Sequence, residues 1–456
     1  MFGRPTFFHT ASVLCTTLAL TACGGGGGGR EDPTPPASDC SVDGQKAWLA
    51  NYMDDWYFWY RISPRPGAAA YSTVESYFDA LLYTGTTTPF PADRWSRSQS
   101  TESFNRFFGD GATLGYGVAV NGVEVDGVST RPLYVRYIEP GSPAALQGVA
   151  RGDEIRSLNG LGIASLIAAD DYSLLSPAES GQQLTLVLRR AGVDRTVVLR
   201  AAVFTLTPVQ GVAVQTTPGG RRVGYLQVKD MIGQGLAPMA TAFAQFQAAG
   251  VQDLLLDLRY NGGGLVSTGG ALASHIAGAR GAGLNYATLL YNDKRAAANN
   301  QSFVFTQPAA ALGLPRVYVL AGPRTCSASE QVINGLRGAG VDVITVGDTT
   351  CGKPVGFLPS SSCGRTYSVV NFESVNQRNE GRYVDGFDAT CAVAENFNAV
   401  QGSAADPLVS AAQRHADGGS CFRASDGRAQ PLALRRAPFA VRRAAEPGER
   451  QGMIPQ

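Results

Sequence analysis

The sequence predicts a multidomain α/β protein, and three patterns along it predict the parts. Aromatic residues recur at helical spacing between Trp48 and Trp59. Five short strand-like runs crowd residues 110–205. From Val223 onward, apolar β-branched runs alternate with helical stretches. At 456 residues the chain is long enough for two or three domains. A net charge of +1, with 16% charged residues, argues against the electrostatic footprint of a nucleic-acid binder.

Residues 1–22 read as a lipoprotein signal peptide. Arg4 supplies a positive n-region, Ala11–Leu20 a short apolar h-region, and Leu20-Thr21-Ala22-Cys23 matches a bacterial lipobox. The apolar span is too short for a stable membrane-crossing helix. The expected outcome is lipidation at Cys23; a secretory signal cleaved without lipid is the alternative. With Gly24, not aspartate, after Cys23, the expected destination is the outer membrane, with the rest of the chain facing the periplasm. Residues 23–39 form a Gly/Pro-rich tether, flexible in its glycine run and stiffer at Pro33, Pro35 and Pro36.

Residues 40–109 read as an N-terminal helical region. Trp48, Tyr52, Asp55, Trp56 and Trp59 fall three and four apart, a stripe that suits core packing better than a ligand platform. Thr73–Leu82 predicts a second helix. The β-rich module of residues 110–205 has strands expected at Gly117–Val120, Leu133–Ile138, Glu154–Leu158, Leu184–Leu188 and Thr196–Leu199. Taken alone, Gly115-Tyr116-Gly117 is a turn.

Residues 206–420 read as the αβ domain. Val223–Val228 is a strand, Leu236–Ala248 a helix, and Val251–Leu258 a strand buried on both faces. That strand ends in a glycine turn, Asn261-Gly262-Gly263-Gly264, before a helix over Leu265–Ala277. The glycines either shape the turn or bring a backbone N–H close to a ligand. Asp257 and Arg259 read as anchors of the turn.

A second strand, Val317–Leu320, breaks at Ala321-Gly322-Pro323 and leads into a helix with Ser327 at its start. A serine there sits at the positive end of the helix dipole, among unpaired N–H groups. The next strand, through Val341, Val343, Ile344 and Val346, leads to Gly352-Lys353. A buried lysine can lose its proton and serve as a base. Ser327-Ala328-Ser329-Glu330 is equally a capping box, and the two readings are compatible. Beyond the signal only His275 and His415 remain, so a Ser-His-Asp triad is the weaker mechanism.

The same residues resemble the active-site signature of the C-terminal processing (tail-specific) serine peptidases: Ser327-Ala328-Ser329-Glu330, then Gly347 through Lys353. Ile138 through Ala145, followed by Gly148, Gly152-Asp153-Glu154-Ile155 and Leu158-Asn159-Gly160, is similar to the PDZ domains of processing proteases. The resemblance implies a PDZ domain over residues 110–205 and a ClpP/crotonase-like catalytic domain over residues 206–420. It implies Ser327 as nucleophile, Lys353 as general base, and Gly263 with Ala328 as oxyanion donors. Leu114, Gly115, Tyr116, Gly117 and Val118 would be the loop that binds a terminal carboxylate. It also implies unfolded or C-terminally exposed protein substrates, and no metal or cofactor.

The chain departs from that pattern. Gly338 and Phe357 stand where family members carry an aspartate or a glutamine that supports the lysine, and the Ser327–Lys353 spacing is one residue longer than usual. Alternative readings are a peptide-binding or scaffolding lipoprotein with the same fold, and hydrolysis of a non-peptide ester or amide.

Without Cys15 and Cys23, the six cysteines Cys40, Cys326, Cys351, Cys363, Cys391 and Cys421 predict disulfides in an exported protein. Cys351–Cys363, flanking an expected hairpin, is the first pairing to expect, and Cys326 is a rival nucleophile. Gly381–Phe387 is expected to be a closing strand and turn, and Ala405-Asp406-Pro407-Leu408 the start of a final helix. Residues 421–456, with Arg423, Arg428, Arg435, Arg436, Arg442, Arg443 and Arg450, read as a mostly disordered tail.

Overall fold

A computed structural model describes residues 34–85, 90–120, 132–169, 171–421 and 452–455. The expected signal peptide, Cys23 and most of the Arg-rich tail lie outside the described residues. Among those described, no helix is long and apolar enough to cross a membrane.

The αβ domain is built on a six-stranded sheet with the order Val209–Thr216, Arg222–Val228, Asp253–Asp257, Arg316–Ala321, Asp342–Gly347 and Cys391–Ala392. The first pair is antiparallel and the rest are parallel. The continuous apolar runs divide between two faces, because successive side chains of a strand alternate. Leu254, Leu256, Val317 and Val319 enter the larger core with the helices Leu236–Ala248, Val266–Ala277 and Ala328–Gly338. Leu255, Tyr318, Leu320 and Ile344 face the helix Pro407–Ala416 on the other side. Asp406 caps that last helix, accepting from Leu408 N–H.

The N-terminal helical region is part of this body. Trp48, Tyr52, Trp56 and Trp59 belong to the same hydrophobic cluster as the helices of the αβ domain. The strand Arg97–Ser100 pairs with Arg365–Ser368. A Cys40–Cys363 disulfide adds a covalent tie.

The expected Cys351–Cys363 pair is therefore corrected. Cys363 lies at the two-residue turn of the hairpin Ser360–Ser362/Arg365–Ser368, beside the N-terminal helix. Cys351 pairs with Cys326, and Cys391 with Cys421.

The β-rich module is an antiparallel sheet with the order Val118–Val120, Leu133–Ile138, Glu154–Leu158, Gln183–Arg190 and Val193–Arg200, over its own core of Leu, Val and Ile side chains. Its incoming and outgoing segments, Ala112–Gly115 and Ala202–Thr205, pair with each other.

Two further expectations are corrected. Gly381–Phe387 contains no strand; it packs as loop and turn on Thr350, with Phe387 N–H donating to Thr350 Oγ1 at 2.7 Å. The tail does not end in disorder: Gly452–Ile454 is a buried strand paired in parallel with Gly263–Leu265.

Candidate active site

Ser327 follows the strand Arg316–Ala321 through a tight turn. Thr325 Oγ1 accepts from Gly322 N–H and donates to Leu258 O, and Cys326 N–H donates to Asn261 O, so the turn is fastened to the neighbouring strand end. Ser327 itself takes φ 63° and ψ −117°. Non-glycine residues seldom adopt that backbone, and holding one there costs about 1–3 kcal/mol. The conformation throws the side chain forward at the start of the helix Ala328–Gly338. Its Oγ is buried and has no hydrogen-bond partner among the described residues, and no side-chain cap bond forms at Ser327.

The Glu330 side of the capping box does form, and it reaches further than a cap. Glu330 Oε2 accepts from Ser327 N–H at 2.9 Å and from Lys353 N–H at 2.8 Å. Oε1 accepts from Gly352 N–H at 2.8 Å and from Thr350 Oγ1 at 2.6 Å. One carboxylate thus draws the backbones of Ser327 and Lys353 together. The Cys326–Cys351 disulfide clamps the same two loops from the residues beside them. Sequence reading assigned Glu330 only to a cap; the signal it carried was its place three residues after the serine.

Lys353 is fully buried. Burial first, and Arg97 second, push its amine well below the ordinary lysine range, while Asp93 and Glu330 act in the opposite direction. Its Nζ stands 3.8 Å from the centroid of the Phe357 ring. Phe357 therefore offers a ring face where an amide was expected. Gly338 instead leaves room for Asn376, whose side chain would lie 2.9 Å from an added Cβ.

Gly263 (φ +100°) and Ala328 meet: a Cβ on Gly263 would stand 2.8 Å from Ala328 N. Ala328 N–H belongs to the first helical turn, whose donors the helix leaves unpaired. Gly263 N–H is held differently from expectation, since it donates to Asn261 Oδ1 at 2.8 Å. Asn261 Nδ2 is in turn bound to Val228 O.

Arg259 is buried with Asp257 and Asp406, its Nη2 2.7 Å from Asp406 Oδ2, and anchors the turn as expected. His275 stacks on Phe243 and His415 contacts Tyr318, so neither histidine partners Ser327. Cys326 is disulfide-bonded and has no thiol to act as a nucleophile.

Leu114, Gly115, Gly117 and Val118 line a groove with Arg136, Glu139, Phe204, Lys229 and Tyr260. Tyr116 lies between them, buried in the module's core. A Cβ on Gly117 would overlap Ser142, at 2.0 Å. Burial, with Asp230 next, raises the Glu139 carboxyl to about 7. The groove touches the catalytic domain: Arg151 Nη1 donates to Tyr260 OH at 2.6 Å, and Arg136 lies over the Tyr260 ring. Tyr260 immediately precedes the Asn261–Gly264 turn.

Parts of the chain resemble known proteins. Residues 222–361 match Peptidase family S41, residues 44–97 the Peptidase S41 N-terminal domain, and residues 134–190 a PDZ domain. A chloroplastic C-terminal processing peptidase of Tetradesmus obliquus is 31% identical over 170 residues, which is 35% of this chain and 36% of that protein. The chloroplastic carboxyl-terminal-processing peptidase 1 of Arabidopsis thaliana is 27% identical over 263 residues, 57% of this chain and 51% of that one. The chain thus spans between about a third and a half of the length of these curated relatives. A crystal structure of a Bacteroides fragilis protein assigned to the S41 proteases has a TM-score of 0.63 at 24% identity, over 81% of this chain and 97% of that chain, a likeness of fold.

Proposed function

The chain belongs to peptidase family S41 with an embedded PDZ domain, and from that premise we propose that it is a serine endopeptidase of the C-terminal processing type working through Ser327 and Lys353. The observation that carries the proposal is the pairing by Glu330. A strained serine, its buried Oγ without a partner among the described residues, is tied through one carboxylate oxygen to a fully buried lysine whose pKa is pushed far down.

In this reading neutral Lys353 takes the Ser327 Oγ proton as Oγ bonds to the scissile carbonyl carbon. The carbonyl oxygen becomes an oxyanion bound by Ala328 N–H and by Gly263 N–H, the latter exchanging its Asn261 acceptor for the oxyanion. The Lys353 ammonium then protonates the leaving amine. Water, deprotonated by Lys353, releases the acyl group. The groove at Leu114–Val118 captures the C-terminus of an unfolded protein substrate. The sequence Leu20-Thr21-Ala22-Cys23 supports a lipid anchor at Cys23, with the catalytic part in the periplasm at the outer membrane. Cys23→Ala should release the protein from the membrane fraction.

The test is digestion of an unfolded protein with an apolar C-terminus by wild type, Ser327→Ala and Lys353→Ala. Loss of cleavage in both variants supports the dyad. Equal cleavage in all three would overturn it. Tight binding of the C-terminal peptide without cleavage by wild type would favour the peptide-binding lipoprotein.

A further inference from the structure

The edge of the glycine strand next to the candidate nucleophile is occupied by the chain itself. Gly263 lies opposite Gly452, Gly264 opposite Met453, and Leu265 opposite Ile454, in parallel. Gly452 N–H donates to Gly262 O at 3.0 Å. The other edge of the same strand is bonded to Met231, with Met231 N–H on Gly263 O at 3.1 Å and Leu265 N–H on Met231 O at 2.7 Å. A single edge is therefore left for strand addition, and residues 452–454 fill it.

The seat suits an extended apolar peptide. Met453 is fully buried in the main core, with Gln331 Nε2 3.4 Å from its Sδ. Ile454 packs with Phe104 and Leu265. Two bare Cα positions make room for the backbone. A Cβ on Gly263 would stand 2.2 Å from Gly452 O, and a Cβ on Gly356 would stand 2.6 Å from Met453 O. The Gly263 position is also the one that abuts Ala328 N. The distal segment and the N-terminus of the nucleophile helix therefore converge on one glycine.

We propose that Gly452–Ile454 is an intramolecular occupant of the substrate-strand site, an apolar strand that competes in cis with incoming polypeptide. The inference rests on the peptidase reading for its consequence, since it is substrate that the segment excludes. It does not rest on that reading for the docking itself. A tethered segment acts at an effective concentration of millimolar order. A free peptide that binds the same edge must displace it. The same geometry names what the edge accepts from outside: an extended strand carrying consecutive apolar side chains, bound through its backbone as in other cases of β-strand addition.

Binding is measured in a Ser327→Ala background, so that cleavage does not intervene. Fluorescence anisotropy follows a labelled peptide RQGMIPQ against the full chain and against a chain ending at Arg450. The shortened chain should bind the peptide at least about tenfold more tightly than the full chain. The same peptide carrying aspartate in place of methionine should not bind. Equal affinity for both chains, or binding to neither, overturns the proposal.

If the shortened chain does not fold, a protease site inserted between Cys421 and Gly452 gives the same measurement. The folded full chain is cut, and the peptide should then exchange into it but not into the uncut chain. Failure to exchange after cutting also overturns the proposal. With Ser327 intact, the shortened chain should show a KM about tenfold lower at unchanged kcat. If binding differs as expected and neither chain cleaves, the peptidase reading falls while the resident strand stands.

Discussion

Glu330→Gln replaces one oxygen of the carboxylate that joins the two halves of the site. Oε2 holds Ser327 and Lys353 N–H, and Oε1 holds Gly352 N–H and the Thr350 hydroxyl. Donors on both oxygens favour the ionised form, against the burial that raises its pKa. A glutamine keeps its oxygen at only one of the two places. With the oxygen at the Oε2 position, the new NH2 faces Thr350 Oγ1, which can rotate and accept, and Gly352 N–H, which cannot. One buried donor is then left without an acceptor, a cost of about 1–3 kcal/mol. The opposite orientation orphans two donors and is disfavoured. At roughly 2–4 °C per kcal/mol, the variant should melt about 5 °C lower by calorimetry.

The electrostatic readout is independent of folding. The Glu330 charge raises the Lys353 pKa, so its removal lowers that pKa further. The acid limb of kcat/KM should therefore move to lower pH even as the plateau falls. Unchanged melting with an unmoved limb, or a limb that moves to higher pH, would refute the role assigned to Glu330.

Phe357→Leu removes a ring face that favours the ammonium, worth about 0.5–2 kcal/mol. The acid limb should again shift downward, by about 0.4–1.5 pH units. Lys353→Met should abolish cleavage yet raise the melting temperature at neutral pH. The folded chain, with its depressed lysine pKa, binds fewer protons than the unfolded chain, so wild-type stability falls as pH drops below the ordinary lysine range. The gain over wild type should then widen from pH 9 to pH 6 in parallel melts, and a gap that narrows would contradict it. Replacing Cys326 and Cys351 by alanine opens a link of sequence separation 25, costs about 3 kcal/mol and should lower kcat more than it raises KM. Reductant added to wild type should reproduce that loss.

Local periodicity was enough to read most of the αβ domain's central strands and helices. The helix Leu236–Ala248 was predicted with the bounds it has, the apolar run at Leu254–Leu256 was legible as part of a strand buried on both sides, and Val317–Leu320 was legible as a strand. Ser327 and Lys353 were singled out because a strand–turn–helix and a lysine after a glycine turn each leave a local mark, whereas Gly263 was picked from its glycine turn only by the family resemblance. What those residues touch was not legible, because partners are set by long-range packing that no local pattern records. Cys351 was expected to join Cys363, twelve residues on; packing brings it to Cys326 and sends Cys363 to Cys40. Phe357 was visible as a departure from the family pattern, but only the fold puts its ring beneath Lys353. Glu330 was a cap by spacing and became the hinge of the site once two loops, far apart in sequence, both turned their N–H groups toward it. Gly452–Ile454 sits in an Arg-rich, Pro- and Gly-broken stretch whose composition predicts disorder. Its order comes from a strand edge nearly two hundred residues earlier and from apolar side chains as far back as Phe104, which composition does not encode.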